Sequence, residues 1–320
     1  MLTLLCGADR VLTSAALLRA VCARASSGLP GNILIVPEQY SHETERALCA
    51  AGGDTISRFA EVLSFTRLSA RVAATCGGVC EEYLDEGGRI LTVYLAAQQI
   101  LPQLKLYAPA AAKPAFLAQL ASAVEEFLSY CLTPDDLRGA ASHSEGQFAQ
   151  KLQELALLYE SYLSVCKTGR SDPVTRLYRL NDQLFEADYA ADKTFFLDGF
   201  SDFTAIQLQI LTTLLPQSDL TVALPTGDGE QSVFASAAST ARALKNLAAR
   251  LHVPVQTQQI AAPAHRAPDT QRWLSGLFAR ASEPDAGPAP HILTHQSDSV
   301  AAECAFAAAY VRSLVRGGLR

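Results

Sequence analysis

The chain has 320 residues, 49% hydrophobic and 18% charged, which is enough apolar material for a large core and roughly two domains. Its formal net charge is −6, from 26 Lys and Arg against 32 Asp and Glu. No overall basic field exists to capture a phosphate backbone, so any nucleic-acid contact must be local or shared with a partner. The chain opens on a short apolar strand with Gly7 at its end. Residues 12–23 then show helical spacing at Leu12, Ala15, Leu18, Ala20 and Val21. A second strand is expected at 32–37, then a helix through Glu43, Arg46 and Leu48 with Ser41 as its N-cap. Residues 54–57 read as a third strand, and 59–74 as a helix with Val62, Leu63, Leu68 and Val72 inward.

From 75 to 192 no strand period appears. Helices are expected at 90–101, 116–130, 147–166 and 174–185, and Thr133-Pro134-Asp135-Asp136 is a capped helix start. Lys167, Arg170, Arg176 and Arg179 cluster near one helix start. They read as a solvated face, with a DNA-phosphate contact as the alternative. The sheet resumes at 195–197, followed by a strand at 219–224, a helix at 237–251 and a strand-like run at 253–260. Trp273 and Phe278 read as packing residues. Residues 281–290 form a Pro/Gly/Ala linker, 291–295 a strand and 299–315 a helix.

The eight cysteines sit mostly inside apolar patterns and read as reduced, buried thiols. Cys76 and Cys80 are one pair without a second, so no metal site is assigned. No apolar run reaches the roughly 18 residues of a membrane span, and the apolar start is too short for a secretory core. A cytoplasmic protein without membrane contact is expected.

Phe195, Phe196 and Leu197 end on Asp198. A buried parallel strand that stops at an acid delivers it to the sheet's C-terminal edge, where P-loop enzymes hold the waters of magnesium. Superfamily-1 helicases write this stretch as apolar strand, Asp-Glu, aromatic, Gln-Asp-Thr, then Gln. Asp198, Phe200, Asp202 and Gln207 match, while Gly199 stands where the helicases keep the glutamate that orients the attacking water. The phosphate loop, Gly-x4-Gly-Lys-Ser/Thr, can be laid over the first strand and helix. Gly7 takes the first glycine, Leu12 the second, Thr13 the lysine and Ser14 the magnesium-binding hydroxyl. Gly7, Thr13, Ser14 and Asp198 therefore form a degenerate nucleotide site. Gly227 to Phe234 resembles the helicase stretch Gly-Asp-x-x-Gln-Ser-Ile-Tyr.

Ile-Leu-Ile-Val-Pro-Glu-Gln-Tyr at 33–40, Glu-Arg-Ala-Leu at 45–48, Ser-Phe-Thr-Arg-Leu at 64–68 and Leu-Asp-Gly-Phe-Ser-Asp-Phe-Thr at 197–204 carry a resemblance. They are similar to the N-terminal part of the AddB/RexB family. Members of that family form one half of the bacterial ATP-dependent helicase–nuclease that processes double-strand breaks. The chain departs from it at the phosphate loop, where many relatives keep Gly-Lys. The resemblance implies an α/β P-loop NTPase fold, RecA-like and superfamily-1-helicase-like, with a parallel sheet and an all-helical insertion. The domains are then 1–75 with 193–280 for the sheet, 76–192 for the insertion and 291–320 for the start of a second RecA-like domain. It also implies a non-motor scaffold and DNA guide with two partners, DNA and the motor helicase–nuclease subunit of the same complex.

In that family the nuclease and the iron–sulfur cysteines lie in the C-terminal part. No catalytic residue, metal ligand or cofactor is assigned here, and ATP with magnesium is expected to find a degenerate site. The DNA-binding candidates are Gln39, Tyr40 and His42 after the second strand, and Ser57, Arg58, Phe59, Ser64 and Arg67 around the third. Tyr40 and Phe59 would stack bases, while Arg58 and Arg67 would meet phosphates. Two other classes stay open: a small-molecule enzyme on a nucleotide-binding fold, and a protein-interaction module without DNA contact.

Overall fold

The structure is a computed structural model that describes residues 1–77, 82–227, 232–260, 267–276 and 287–319. It divides into two units, Met1–Ala261 and Ala262–Arg320. In the first, β1 (Leu2–Cys6) leads to α1 (Arg10–Ser26), β2 (Asn32–Ile35) to α2 (Ser41–Gly52), and β3 (Ala60–Leu63) to α3 (Phe65–Cys76). Five helices follow: α4 (Glu86–Gln99), α5 (Pro114–Ser129), α6 (Pro134–Ser142), α7 (Gly146–Thr168) and α8 (Thr175–Glu186). The chain then returns through β4 (Thr194–Leu197), α9 (Ala205–Leu214), β5 (Asp219–Leu224), α10 (Ala235–Arg250) and β6 (Val255–Gln259). The second unit holds α11 (Pro268–Gly276) and α12 (Val300–Arg316).

The six strands form one sheet in the order β3-β2-β4-β5-β1-β6, with every pairing parallel. The central strands are mostly apolar, with polar residues such as Asn32, Thr194 and Asp219 at their starts, as suits strands with helices on both faces. Alternation sorts their side chains. Leu5, Leu34 and Phe196 face α1 and α2, where they meet Leu17, Val21 and Leu48. Leu4, Ile35, Phe195 and Leu197 face the other way, onto Leu68 and Val72 of α3, Ile210 and Leu214 of α9 and Leu244 of α10. Phe195 and Phe196 are essentially sealed from water, each worth about 2–3 kcal/mol of burial. They fix the level at which the strand ends, and so the position of Asp198.

A separate core joins the inserted helices through Val93, Leu120, Val124, Leu158 and Tyr162. Two buried carboxylates stiffen it. Asp172 accepts the Arg89 guanidinium at 2.9 and 3.1 Å, the Tyr162 hydroxyl at 2.7 Å and the Val174 N–H at 2.8 Å. Glu154 accepts the backbone N–H groups of Lys105, Leu106 and Tyr107 at 2.8–3.1 Å, anchoring the link between α4 and α5. Helix α8 contributes Leu180 and Leu184 to the core under the sheet, while Tyr178 packs against the insertion core. The Thr133 start is a capping box, with the Asp136 carboxylate accepting the Thr133 N–H at 2.7 Å.

Several sequence expectations need correction. Residues 54–57 are a 3₁₀ turn, Asp54–Arg58, because only Ile56 among them is apolar enough to bury. The strand is Ala60–Leu63, and the next helix starts at Phe65, where the Ser64 hydroxyl accepts the Arg67 N–H. Ser41 is not a cap. The 3₁₀ turn Glu38–Tyr40 runs into α2, so the Ser41 N–H already bonds to Glu38 and its hydroxyl lies buried without a partner.

Residues 291–295 are irregular backbone and not a strand, the polar His291, Thr294 and His295 breaking the apolar pattern. One isolated bridge, Tyr83 to Ser171, interrupts the otherwise helical stretch. Cys49, Cys76 and Cys304 are exposed, and Trp273 is 48% exposed and no core residue. Phe278, Cys80, residues 228–231 of the Gly227 stretch and 281–286 of the linker lie outside the described residues. Among the described residues no helix is long and apolar enough to cross a membrane.

Candidate functional site

One strand, β5, separates the strand before Gly7 from the strand before Asp198. Both residues therefore emerge at the C-terminal edge of the sheet, where helix N-termini in parallel α/β folds meet ligands. Between Cys6 and Arg10 only Gly7, Ala8 and Asp9 connect strand to helix. Helix α1 starts two residues earlier than the apolar spacing alone indicates. The cause is Asp9, whose carboxylate accepts the Val11 N–H at 2.8 Å as an N-cap. A phosphate loop works by leaving successive backbone N–H groups to wrap an anion. Here the loop has been drawn into the helix, and a carboxylate already sits at its N-terminus.

Gly7 is held by packing: a Cβ there would lie 2.8 Å from the Ile260 carbonyl oxygen and 3.2 Å from the Thr13 methyl. Thr13, in the lysine position, is buried, and its hydroxyl donates to the Arg10 carbonyl at 3.0 Å. It points into the protein and carries no charge to a phosphate. Ser14 and Asp198 do meet. The Ser14 hydroxyl donates to Asp198 Oδ1 at 2.9 Å, and the Gly199 N–H donates to the same oxygen at 2.8 Å. Burial pushes the Asp198 carboxyl above the ordinary carboxylate range, against the Ser14 hydroxyl, the Gly199 N–H and the Arg10 charge.

Gly199 adopts φ of +83°, the left-handed region, and its Cβ position is hemmed in by Pro37, Tyr40 and the Arg10 guanidinium. Arg10 occupies the space beside it, 4.6 Å above the Tyr40 ring. That guanidinium, with Gln39, holds the Tyr40 hydroxyl below the usual phenol range. Arg10 was not singled out by the sequence, since it lies in a polar break between two apolar runs. Arg10, Ser14, Tyr40, Glu43 and Asp198 line a cavity of about 510 Å³ whose remaining wall is mostly apolar, with Leu18 and Ala47. No cluster of three metal-ligating side chains occurs among the described residues.

The DNA-binding candidates fall on two opposite edges. Gln39 and Tyr40 follow β2 and Arg67 follows β3, so these three lie at the C-terminal edge with Asp198. Arg58 and Phe59 precede β3, and the Phe59 carbonyl accepts the Asn32 N–H at the start of β2, on the N-terminal edge. Phe59 and Tyr40 both pack partly against the core under α1 and α2. Arg67 is exposed and ion-paired to Glu45 at 3.0 Å and Glu38 at 3.6 Å. The fold thus groups Gln39, Tyr40 and Arg67 and leaves Arg58 and Phe59 apart.

Residues 13–274 match the family described as "ADDB, N-terminal". The chain is 31% identical over 200 residues to an ATP-dependent helicase/deoxyribonuclease subunit of Clostridium tetani, covering 61% of this chain and 17% of that protein. It is 35% identical over 202 residues to the protein of the same name from Desulfitobacterium hafniense, covering 62% and 16%. Against that of Oceanobacillus iheyensis the figures are 29% over 243 residues, 71% and 21%. The chain therefore spans about a fifth or less of the length of these relatives.

Proposed function

Because the chain belongs to the AddB N-terminal family, we propose that it is the helicase-like, non-motor part of a helicase–nuclease subunit that works in DNA double-strand break processing and recombinational repair. In this reading the first unit is a RecA-like P-loop domain whose nucleotide chemistry is lost, with an all-helical insertion. It holds the motor subunit of the same complex and guides one DNA strand along the C-terminal edge, within the cytoplasm. Relatives are named as subunits of an ATP-dependent helicase/deoxyribonuclease, which supports a role inside a complex.

The observation that carries the non-motor reading is the geometry around Asp198. The residues present do not fit a magnesium nucleotide. Asp9 caps the helix that would receive the phosphates, Thr13 turns inward where a lysine would reach out, and Gly199 cannot activate water. What survives of the ancestral site, the Ser14–Asp198 hydrogen bond, ties α1 to β4 and so to the rest of the sheet. The site has become an internal brace.

The test is co-purification of the protein with its motor partner, followed by strand separation. Asp198→Ala in this chain is expected to leave the unwinding rate of the complex unchanged, whereas disabling the partner's ATP site abolishes it. Unwinding that collapses with Asp198→Ala in an intact complex would refute the non-motor role.

A further inference from the structure

Residues 232–260 hold no Asp or Glu, although the whole chain carries 32 in 320 residues. The same stretch holds Arg242, Lys245 and Arg250, all exposed on α10. The buried seam of that helix is Ala237, Thr240, Ala241, Leu244, Leu247 and Ala248. At about 100° per residue, Arg242 stands opposite the seam, with Lys245 about 60° to one side and Arg250 about 80° to the other. Many basic groups elsewhere are taken up within the protein. Arg67, Arg71 and Arg138 pair with glutamates, and Arg170 pairs with Glu82 at 2.9 Å. The Arg176 guanidinium lies 4.1 Å over the Tyr83 ring, and Arg179 is partnered too. Among the described residues, none of the three α10 cations has an ion pair or a side-chain hydrogen bond. Asp219, at the sheet edge where α10 ends, is neutralised by the Met1 ammonium at 2.9 Å. Asp202 lies toward the start of α10, next to Ser201, whose carbonyl accepts the Thr240 hydroxyl at 2.9 Å.

The exposed arc between these cations is built of short side chains, Ala235, Ser239, Asn246 and Ala249. It lacks the aromatic and large aliphatic anchors around which protein interfaces form. A phosphate backbone has other needs: close approach, spaced cations, and hydroxyl or amide donors. Long basic side chains above a floor of small ones supply all three. Arg242 and Arg250 are roughly 12 Å apart along the helix axis, so they reach different phosphates of one strand. Helix α10 follows β5 and therefore starts at the C-terminal edge of the sheet and runs back along its face. We propose that the outer face of α10 is a contact surface for the phosphate backbone of a nucleic acid, through Arg242, Lys245 and Arg250, with Ser239 and Asn246 donating hydrogen bonds. The proposal rests on the DNA-guiding reading and extends the path from the sheet edge along α10.

The experiment is fluorescence anisotropy of the full chain with labelled oligothymidine, a labelled duplex and labelled polyglutamate, titrated at several salt concentrations. Four proteins are compared. They are wild type, Arg242→Gln/Lys245→Gln/Arg250→Gln, the charge-retaining Arg242→Lys/Arg250→Lys, and the control Arg19→Gln/Lys113→Gln/Lys151→Gln, whose residues are exposed elsewhere on the chain. The triple variant and the control carry the same net charge, so a general field effect moves both alike. Each lost phosphate contact lowers the slope of log affinity against log salt by about 0.7 on a single strand and about 0.9 on a duplex. The triple variant is expected to lose a slope of about 2 on a single strand and to bind at least tenfold more weakly, while the control and the charge-retaining variant match wild type. The arm showing the loss identifies the strand form held. Equal losses in the triple variant and the control, no loss in the triple variant, or an equal loss in the charge-retaining variant would overturn the proposal and leave the DNA-guiding reading standing. Polyglutamate bound as tightly as DNA and lost in the triple variant would also overturn it, assigning the face to an acidic protein. A wild-type chain that binds neither nucleic acid would overturn both readings.

Discussion

Restoring the helicase glutamate by Gly199→Glu is expected to cost stability and to bring no ATP turnover. In Gly199→Glu the new residue must hold φ near +83°, which costs a residue with a side chain about 1–2 kcal/mol. Its Cβ would lie 3.1 Å from Pro37 Cδ, 3.3 Å from Arg10 Nη2 and 3.4 Å from Tyr40 Cδ2. A proline ring cannot swing aside, so overpacking adds about 1 kcal/mol. The total is about 2–3 kcal/mol, a fall in Tm of roughly 5 °C. Gly199→Ala carries the same strain and contact without the charge. The difference between the two variants reports the new carboxylate placed beside Asp198 and Arg10. Urea and thermal unfolding of all three proteins measure the cost, and an ATPase assay measures any gain. A Glu variant within about 0.5 kcal/mol of wild type, or one that turns over ATP, would refute the argument that the backbone here has abandoned the catalytic geometry.

Glu154→Gln removes the charge that holds three backbone N–H groups and is expected to cost about 2–3 kcal/mol in urea unfolding at neutral pH. Burial works to raise the Glu154 pKa, but the Leu106, Tyr107 and Lys105 N–H groups and Gln150 outweigh it and hold it below the ordinary range. A depressed carboxylate stabilises above its unfolded pKa. The difference between wild type and variant is therefore full at neutral pH and shrinks below about pH 4. Asp198 has the opposite sign: its raised folded pKa favours the protonated form, so charging it on a rise from acid to neutral pH weakens the fold. Asp198→Asn keeps an acceptor for Ser14 and Gly199 and is expected to match or exceed wild-type Tm at neutral pH, with the gap closing in acid; a clear loss at neutral pH refutes this. For single-stranded DNA, Arg67→Ala is expected to lower the salt slope by about 0.7, while Arg58→Ala, on the opposite sheet edge, leaves it unchanged. Equal effects would show that both edges touch DNA.

The strands of this fold were legible wherever the chain is apolar on both faces or alternates. Residues 195–197 declare themselves because a doubly covered strand needs no alternation, and 219–224 because Leu220, Val222 and Leu224 alternate with Asp219 and Thr221. The capped start at Thr133 was equally plain, since Thr, Pro and two acids each serve a helix N-terminus. The third strand was misplaced by a few residues. Short mixed runs such as Asp54 to Leu63 carry no period long enough to separate a 3₁₀ turn from a strand. That shift decided the candidate surface, because it moved Arg58 and Phe59 from one edge of the sheet to the other.

The Ser14–Asp198 pair was found by motif spacing, although the two residues are 184 positions apart. Arg10 was missed, since nothing local marks a cation that acts by lying over a tyrosine from another loop. The basic cluster at 167–179 was visible as composition. Its pairing was not, because Glu82 and Tyr83, which meet Arg170 and Arg176, come from a distant part of the chain.

If this chain has kept the brace of a nucleotide site and lost its chemistry, ATP should find nothing to hold. The most direct measurement is ATP turnover by the purified chain with magnesium and single-stranded DNA, together with Tm at rising ATP. Turnover is expected at the buffer background with no rise in Tm, because a ligand that does not bind the folded state cannot stabilise it. Steady turnover that Asp198→Ala abolishes, or a Tm that climbs with ATP and magnesium, would contradict it.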